Sequence, residues 1–162
     1  MTTTAQATAA PIPLRLGNKT YRLSPLRDRD YGAIERWLQD RHIALVRRNL
    51  DGLPAEARDR QLDRAFAEAR EISARSLVSG DDPYHREATE AFESIEGLVF
   101  MTWLMLQREH PELSEDDVSE LMLASPERMQ AVMDQIAQLA ERGAEAKKAS
   151  KKKVRRKPPK RR

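Results

Sequence analysis

The feature that most constrains this chain is a run of ten almost entirely apolar residues, Gly97–Leu106. A helix built from this run is apolar on every side and must therefore be covered on every side. A membrane-spanning helix needs roughly 20 such residues, so this run is too short to cross a bilayer. The sequence predicts a helix buried within a water-soluble protein, with cover supplied by the chain itself, by self-association or by a bound helix.

Apolar residues recurring at helical spacing predict further helices on both sides of this run. The predicted spans are 28–50, 54–78 and 84–110, followed by helices that start after Ser114 and Ser125. Both serines are good N-caps, and the proline after Ser125 suits a first helical position. The predicted apolar stripes are Tyr31, Ile34, Trp37, Leu38 and Leu45 in the first helix, Leu62, Phe66, Ala69, Ile72 and Leu77 in the second, and Met129, Val132, Met133, Ile136 and Leu139 in the last.

Alternating apolar residues around Gly17-Asn18 predict a β-hairpin with a two-residue loop. The predicted opposite pairs are Leu16 with Lys19, Leu14 with Tyr21, and Ile12 with Leu23. A lone hairpin is marginal in water, so its apolar face must dock on the helices. The predicted fold is mainly α: a small N-terminal β-hairpin packed on a bundle of about four to five helices. The predicted organisation is a flexible leader at 1–11, the helical domain at 12–143 and a disordered Lys/Arg-rich tail at 144–162.

Charge is divided sharply along the chain. Residues 147–162 carry 11 of the 29 Lys and Arg and no Asp or Glu, so they hold a charge of +11. The remaining residues carry 18 basic and 26 acidic side chains, a charge of −8. The tail could bind nucleic acid weakly and without sequence preference, contact an acidic protein surface or act as a solubilising segment. The candidate polyanion-binding residues are Lys147, Lys148, Lys151, Lys152, Lys153, Arg155, Arg156 and Lys157.

No catalytic, cofactor or metal signature is apparent in the sequence. It contains no cysteine, which excludes disulfides, thiolate metal sites and cysteine nucleophiles. The histidines His42, His85 and His110 lack metal-ligand spacing and are expected to be solvated or to cap helices. The acidic clusters fall on polar helix faces, where solvated surface is the expected role. The sequence therefore predicts a protein that is not an enzyme.

Methionines accompany the apolar run and allow two interpretations. Met101, Met105, Met122, Met129 and Met133 could fill the core or could line an adaptable groove for a helical partner. Residues predicted to contribute to this core-plus-groove surface are Leu98, Phe100, Met101, Trp103 and Met105.

Two stretches resemble proteins of a known family. One reads Leu-Arg-Leu-Gly-Asn-Lys-Thr-Tyr-Arg-Leu-Ser-Pro-Leu from Leu14 and leads into 31–38. The other joins the apolar helix from Gly97 to a His-Pro-Glu-Leu corner and a Ser-Glu-Asp-Asp-Val helix start. Together they resemble tail assembly chaperones of long-tailed bacteriophages, or a related prophage or gene-transfer-agent tail protein, over residues 12–123. The predicted helix at 54–78 and the basic tail depart from that pattern.

The resemblance implies a small, mainly helical, non-enzymatic protein in the cytoplasm of the bacterial host. Such a protein keeps the tape-measure protein soluble during tail assembly by binding its apolar helical segments, and it is commonly absent from the finished virion. The resemblance also implies that a longer form can arise by ribosomal frameshifting near the C-terminal end. Two alternatives stay open: a nucleic-acid-associated accessory protein acting through its tail, and a structural tail or connector component.

Overall fold

The predicted β-hairpin is confirmed in the computed structural model, which describes residues 10–77 and 79–138. Strands β1 (Ile12–Leu16) and β2 (Lys19–Leu23) pair antiparallel in the predicted register. Gly17 takes a φ of +63°, a left-handed conformation that glycine adopts without steric cost. The rest of the described chain is mainly helical, as predicted. The proposed leader, apart from its last two residues, and the proposed tail lie outside the described residues.

Helices follow the hairpin in an order close to the predicted one. Their bounds are α1 (Asp28–Arg48), α2 (Ala55–Ala69), a short 3-10 helix (Ala74–Leu77), α3 (His85–Glu93), α4 (Ile95–Leu106), α5 (Glu115–Leu123) and α6, described over residues 126–138. Within the range predicted as one domain, the chain groups into two compact units. The hairpin unit holds the described residues 10–27 and 98–138. The middle unit holds the described residues from Asp28 to Gly97, so the division falls inside α4.

The core of the hairpin unit forms where the apolar face of the hairpin meets α4, α5 and α6. Every predicted apolar residue of that face is buried, and β2 is also tied to α4 by a hydrogen bond from the Ser24 amide to the Met105 carbonyl, 2.9 Å long. Full burial of each large apolar side chain contributes about 1.5–3 kcal/mol. The buried cluster comprises Ile12, Leu14, Leu16, Tyr21, Leu23, Val99, Met105, Leu106, Val118, Met122 and Val132.

In the middle unit, α1 buries one narrow stripe. Ile34, Leu38 and His42 follow each other at four-residue spacing and are all buried. Residues four apart lie on one face of a helix, so this stripe is the side that packs. Leu45, predicted to belong to the stripe, follows His42 by three residues on the same face but is 38% exposed near the end of the helix. Helix α1 packs against α2 and against the short 3-10 helix.

Helix α2 ends earlier than predicted. The helix expected over 54–78 stops at Ala69, and beyond it the Ser73 amide donates to the hydroxyl of Ser76, 3.3 Å away. Serine side chains compete in this way with the regular helical ladder. The predicted apolar stripe was also wrong at Phe66, which is 43% exposed, whereas the small side chains of Ala65 and Ala69 are buried.

The helix predicted to run unbroken over 84–110 is instead divided between α3 and α4. Ser94 has an extended backbone, and its hydroxyl accepts a hydrogen bond from the Gly97 amide at 3.1 Å, which caps α4. The same hydroxyl donates to the carbonyl of Ala91 at 2.6 Å. A β-carbon at Gly97 would overlap that carbonyl oxygen, so the close approach of the two helix ends requires glycine.

The predicted N-caps of the last two helices are confirmed. The Ser114 hydroxyl accepts a hydrogen bond from the Asp117 amide at 3.1 Å, and the Asp117 carboxylate accepts one from the Ser114 amide at 2.8 Å. This reciprocal pair is a capping box. Hydrogen bonds from Ser114 hold the pKa of Asp117 below its usual range. At α6, the Ser125 hydroxyl accepts a hydrogen bond from the Arg128 amide at 3.4 Å.

Replacing Gly97 with alanine should destabilise the protein by about 1–3 kcal/mol, the usual cost of forcing an extra carbon into a packed site. The reason is the overlap between the new β-carbon and the Ala91 carbonyl. Urea unfolding followed by circular dichroism measures this loss.

The matched control is Gly32→Ala inside α1, where the nearest atom to a new β-carbon is the end of the Arg36 side chain at 3.9 Å. This change should raise stability by up to about 1 kcal/mol, because alanine favours helix over glycine. Equal effects of the two substitutions would contradict the steric account of Gly97.

Candidate functional site

Helix α4 carries the five residues predicted to contribute to a partner-binding surface, and they differ in exposure. Phe100 and Met105 are each only 4% exposed, whereas Leu98, Met101 and Trp103 are half-buried. The buried pair therefore supplies core rather than groove in this conformation. The other three retain accessible apolar surface.

The structure adds Leu104 to the accessible apolar surface of α4. This residue is half-buried and lies three positions after Met101, so the two side chains are neighbours on one side of the helix. Leu98 precedes Met101 by the same interval and extends the row. We call Leu98, Met101 and Leu104 the α4 row. The sequence showed Leu104 only as part of an all-round apolar run, which does not indicate the side left uncovered.

Trp103 lies on a different side of α4 and is held in place. Its indole N–H donates a hydrogen bond to the Leu113 carbonyl at 3.1 Å, which ties α4 to the corner before α5. Its ring also lies beside Phe100, with centroids 6.0 Å apart. A buried indole N–H needs such a partner, so Trp103 has a structural role in addition to its exposed ring surface.

The methionines that the sequence left open between core and groove differ in their burial. Met105 and Met122 are buried in the core of the hairpin unit, whereas Met133 on α6 is 45% exposed. Met101 and Met129 are half-buried. Leu123 at the end of α5 is 54% exposed and adds further apolar surface to the hairpin unit.

A polar cleft of about 350 Å³ lies in the same unit. Its lining carries both signs of charge, and no residue predicted to bind a partner or polyanion is among them. The lining residues are Lys19, Tyr21, Leu113, Asp117, Glu120, Leu121 and Arg128. Arg128 donates a hydrogen bond to the Leu121 carbonyl at 3.3 Å, which links the start of α6 to α5.

A constellation of ionisable side chains around His42, in the middle unit, was not predicted. His42 was expected to be solvated or to cap a helix, but it is 8% exposed, because it follows Leu38 by four residues on the buried face of α1. Its Nδ1 lies 2.8 Å from the Glu87 carboxylate of α3. Its Nε2 lies 3.4 Å from the Glu68 carboxylate of α2. The spacing from Ile34 and Leu38 was the sequence signal for this burial.

Electrostatic interactions link the side chains of this constellation. A hydrogen bond from Arg64 holds the pKa of Glu68 below its usual range, and His42 adds to the effect. Burial raises the pKa of the neighbouring Tyr84, with further contributions from Glu71 and other carboxylates. The adjoining recess measures about 10 Å³, room for about one water molecule. The arrangement connects α1, α2 and α3.

Within 10–77 and 79–138, no group of three or more His, Cys, Asp or Glu side chains is arranged to hold a metal ion. Among the helices of these same residues, none combines the length and apolar character that crossing a membrane requires.

The predicted polyanion-binding residues, from Lys147 to Lys157, all lie beyond the described residues, so that interpretation stays a prediction. Comparison of the chain with protein families, with curated proteins and with solved structures finds no match.

Replacing Glu68 with glutamine should reduce stability at neutral pH and progressively less in acid. The pKa of Glu68 is lowered in the folded state, so its carboxylate stabilises the fold above the unfolded value of 4.5. That contribution disappears as the pH falls through the lower, folded pKa. Urea unfolding of both proteins over a series of pH values between about 3 and 7 should show the difference in unfolding free energy shrinking with acid.

The control is Glu90→Gln, which removes a carboxylate paired with the exposed Arg86 on the same helix. Exposed pairs of this kind contribute little, so its effect should be smaller. An equal or larger effect at Glu90, or a Glu68 effect that grows in acid, would contradict the structural role of the His42 constellation.

Proposed function

We propose that this chain is a non-catalytic tail assembly chaperone of long-tailed bacteriophages, which binds apolar helical segments of the tape-measure protein in the cytoplasm of the bacterial host. The observation that carries the proposal is the α4 row, three large half-buried apolar side chains that keep accessible surface beside the buried residues Val99, Phe100 and Met105. The resemblance over residues 12–123 supplies the identity of the partner.

The chemistry of this surface suits a helical partner. An amphipathic helix presents apolar side chains at intervals of three and four residues, which is also the interval between Leu98, Met101 and Leu104. Methionine adds adaptability, because its unbranched side chain repacks against partners of varied shape. A long tape-measure protein offers many similar but unequal helical segments, and a flexible apolar surface can accept them in turn.

The proposal predicts that co-expression with the tape-measure protein raises the soluble fraction of that protein. Replacing both Met101 and Leu104 with glutamine should abolish most of this gain, because it removes the apolar contact at the centre of the α4 row. Sedimentation of cell extracts followed by quantification of the tape-measure protein measures the effect. A tape-measure protein that aggregates equally with and without the unmodified chain would overturn the proposal.

Phe66→Gln provides the matched control. Phe66 is a large apolar side chain that is 43% exposed on α2, in the middle unit. Its replacement removes comparable apolar surface away from the α4 row and should leave the solubilising effect intact. Loss of the effect in this variant, with the fold preserved, would contradict the assignment of binding to α4.

A further inference from the structure

The three histidines of the chain use their ring nitrogens in different ways. His85 places Nδ1 at 2.8 Å from the Ser76 carbonyl oxygen. A carbonyl oxygen only accepts hydrogen bonds, so this Nδ1 must donate. His42 likewise places Nδ1 against the Glu87 carboxylate. Both hydrogen bonds survive when the imidazole takes a second proton, because a donor remains a donor.

His110 has the opposite role. Its Nε2 accepts a hydrogen bond from the backbone amide of Arg22, 3.1 Å away and 88 residues earlier in the chain. Its Nδ1 lies 3.4 Å from the Glu112 carboxylate. Accepting at Nε2 while facing an acceptor at Nδ1 requires the neutral ring with its proton on Nδ1.

The hydrogen bond to His110 involves an amide on the open edge of the hairpin. Strands β1 and β2 are the two strands of the sheet in the described residues, so the side of β2 that faces away from β1 is an edge. Unpaired edge amides are templates for pairing with other extended chains, and proteins commonly cover them. His110 covers this one with its ring, which also meets the ring of Tyr21 edge-on at 5.3 Å between centroids.

We propose that His110 covers the Arg22 amide at the outer edge of β2 and releases this amide in acid. When the ring takes a second proton, Nε2 becomes a donor and can no longer accept from the Arg22 amide. The Nδ1–H still faces Glu112, and the hairpin stays anchored through its buried apolar face. Acid therefore frees one edge amide without undocking the hairpin.

Some of the groups that face His110 favour its neutral ring, and others favour its charged ring. From β2, the Arg22 amide favours the neutral ring, and the Tyr21 ring supplies contact without charge. From its own segment, Glu112 accepts from Nδ1 in either state and attracts the charged ring.

Nuclear magnetic resonance of the full chain tests the proposal directly. The ring nitrogen shifts of His110 should show an unprotonated Nε2 at neutral pH. On acidification, the Arg22 amide proton should shift with the same midpoint as the His110 ring. Its exchange with solvent, corrected for the intrinsic pH dependence, should rise by about fivefold to tenfold, the loss expected for one ordinary hydrogen bond. A protonated Nε2 at neutral pH, or an Arg22 amide indifferent to the His110 titration, would overturn the proposal.

Two variants separate hydrogen bonding from packing. His110→Gln retains a side-chain acceptor that does not titrate, so the Arg22 amide should stay protected across the pH range. His110→Phe retains a ring against Tyr21 without an acceptor, so the amide should exchange freely at every pH. His85→Gln serves as control and should leave the pH response of Arg22 unchanged. If a variant fails to fold, the titration of the unmodified chain still decides the question.

Discussion

Covering the apolar helix α4 is the constraint on which the hairpin unit depends. The helix carries apolar side chains on every side, and water cannot be left against all of them. The hairpin supplies one covering face, and it is itself only marginally stable without something to pack on. Helix and hairpin therefore stabilise each other, and α5 and α6 add to the cover through Val118, Met122 and Val132. The half-buried α4 row, which keeps accessible apolar surface, is the surface on which the proposed function rests.

Polar groups decide where the elements end and which segments are tied together. Ser94 stops α3 and caps α4, and Ser114 starts α5 through a reciprocal pair with Asp117. Two histidines link segments that lie farther apart in the sequence. His42 joins three helices of the middle unit, and His110 joins the corner after α4 to the edge of β2. These polar contacts hold segments within each unit together.

The sequence was informative about the fold and only partly about the site. It predicted the hairpin register because a two-residue loop leaves one possible pairing, and it predicted the caps because they depend on adjacent residues. It could not separate Met101 from Met105, since both belong to one all-round apolar run. It also placed His42 at the surface, although the four-residue spacing from Leu38 was readable. Exposure depends on neighbours that are remote in sequence, and periodicity alone does not name them.

The sequence by itself determined that a short, wholly apolar helix must be covered, that a hairpin precedes it and that strongly basic residues follow the acidic body. Local chemistry suffices for these conclusions, because turns, caps and periodicity act over a few residues. Only the tertiary structure decided that the central segment breaks at Ser94 and that Leu98, Met101 and Leu104 remain accessible. It also decided that His110 accepts a hydrogen bond from Arg22. Those outcomes depend on contacts between distant segments, which form only when the whole core packs.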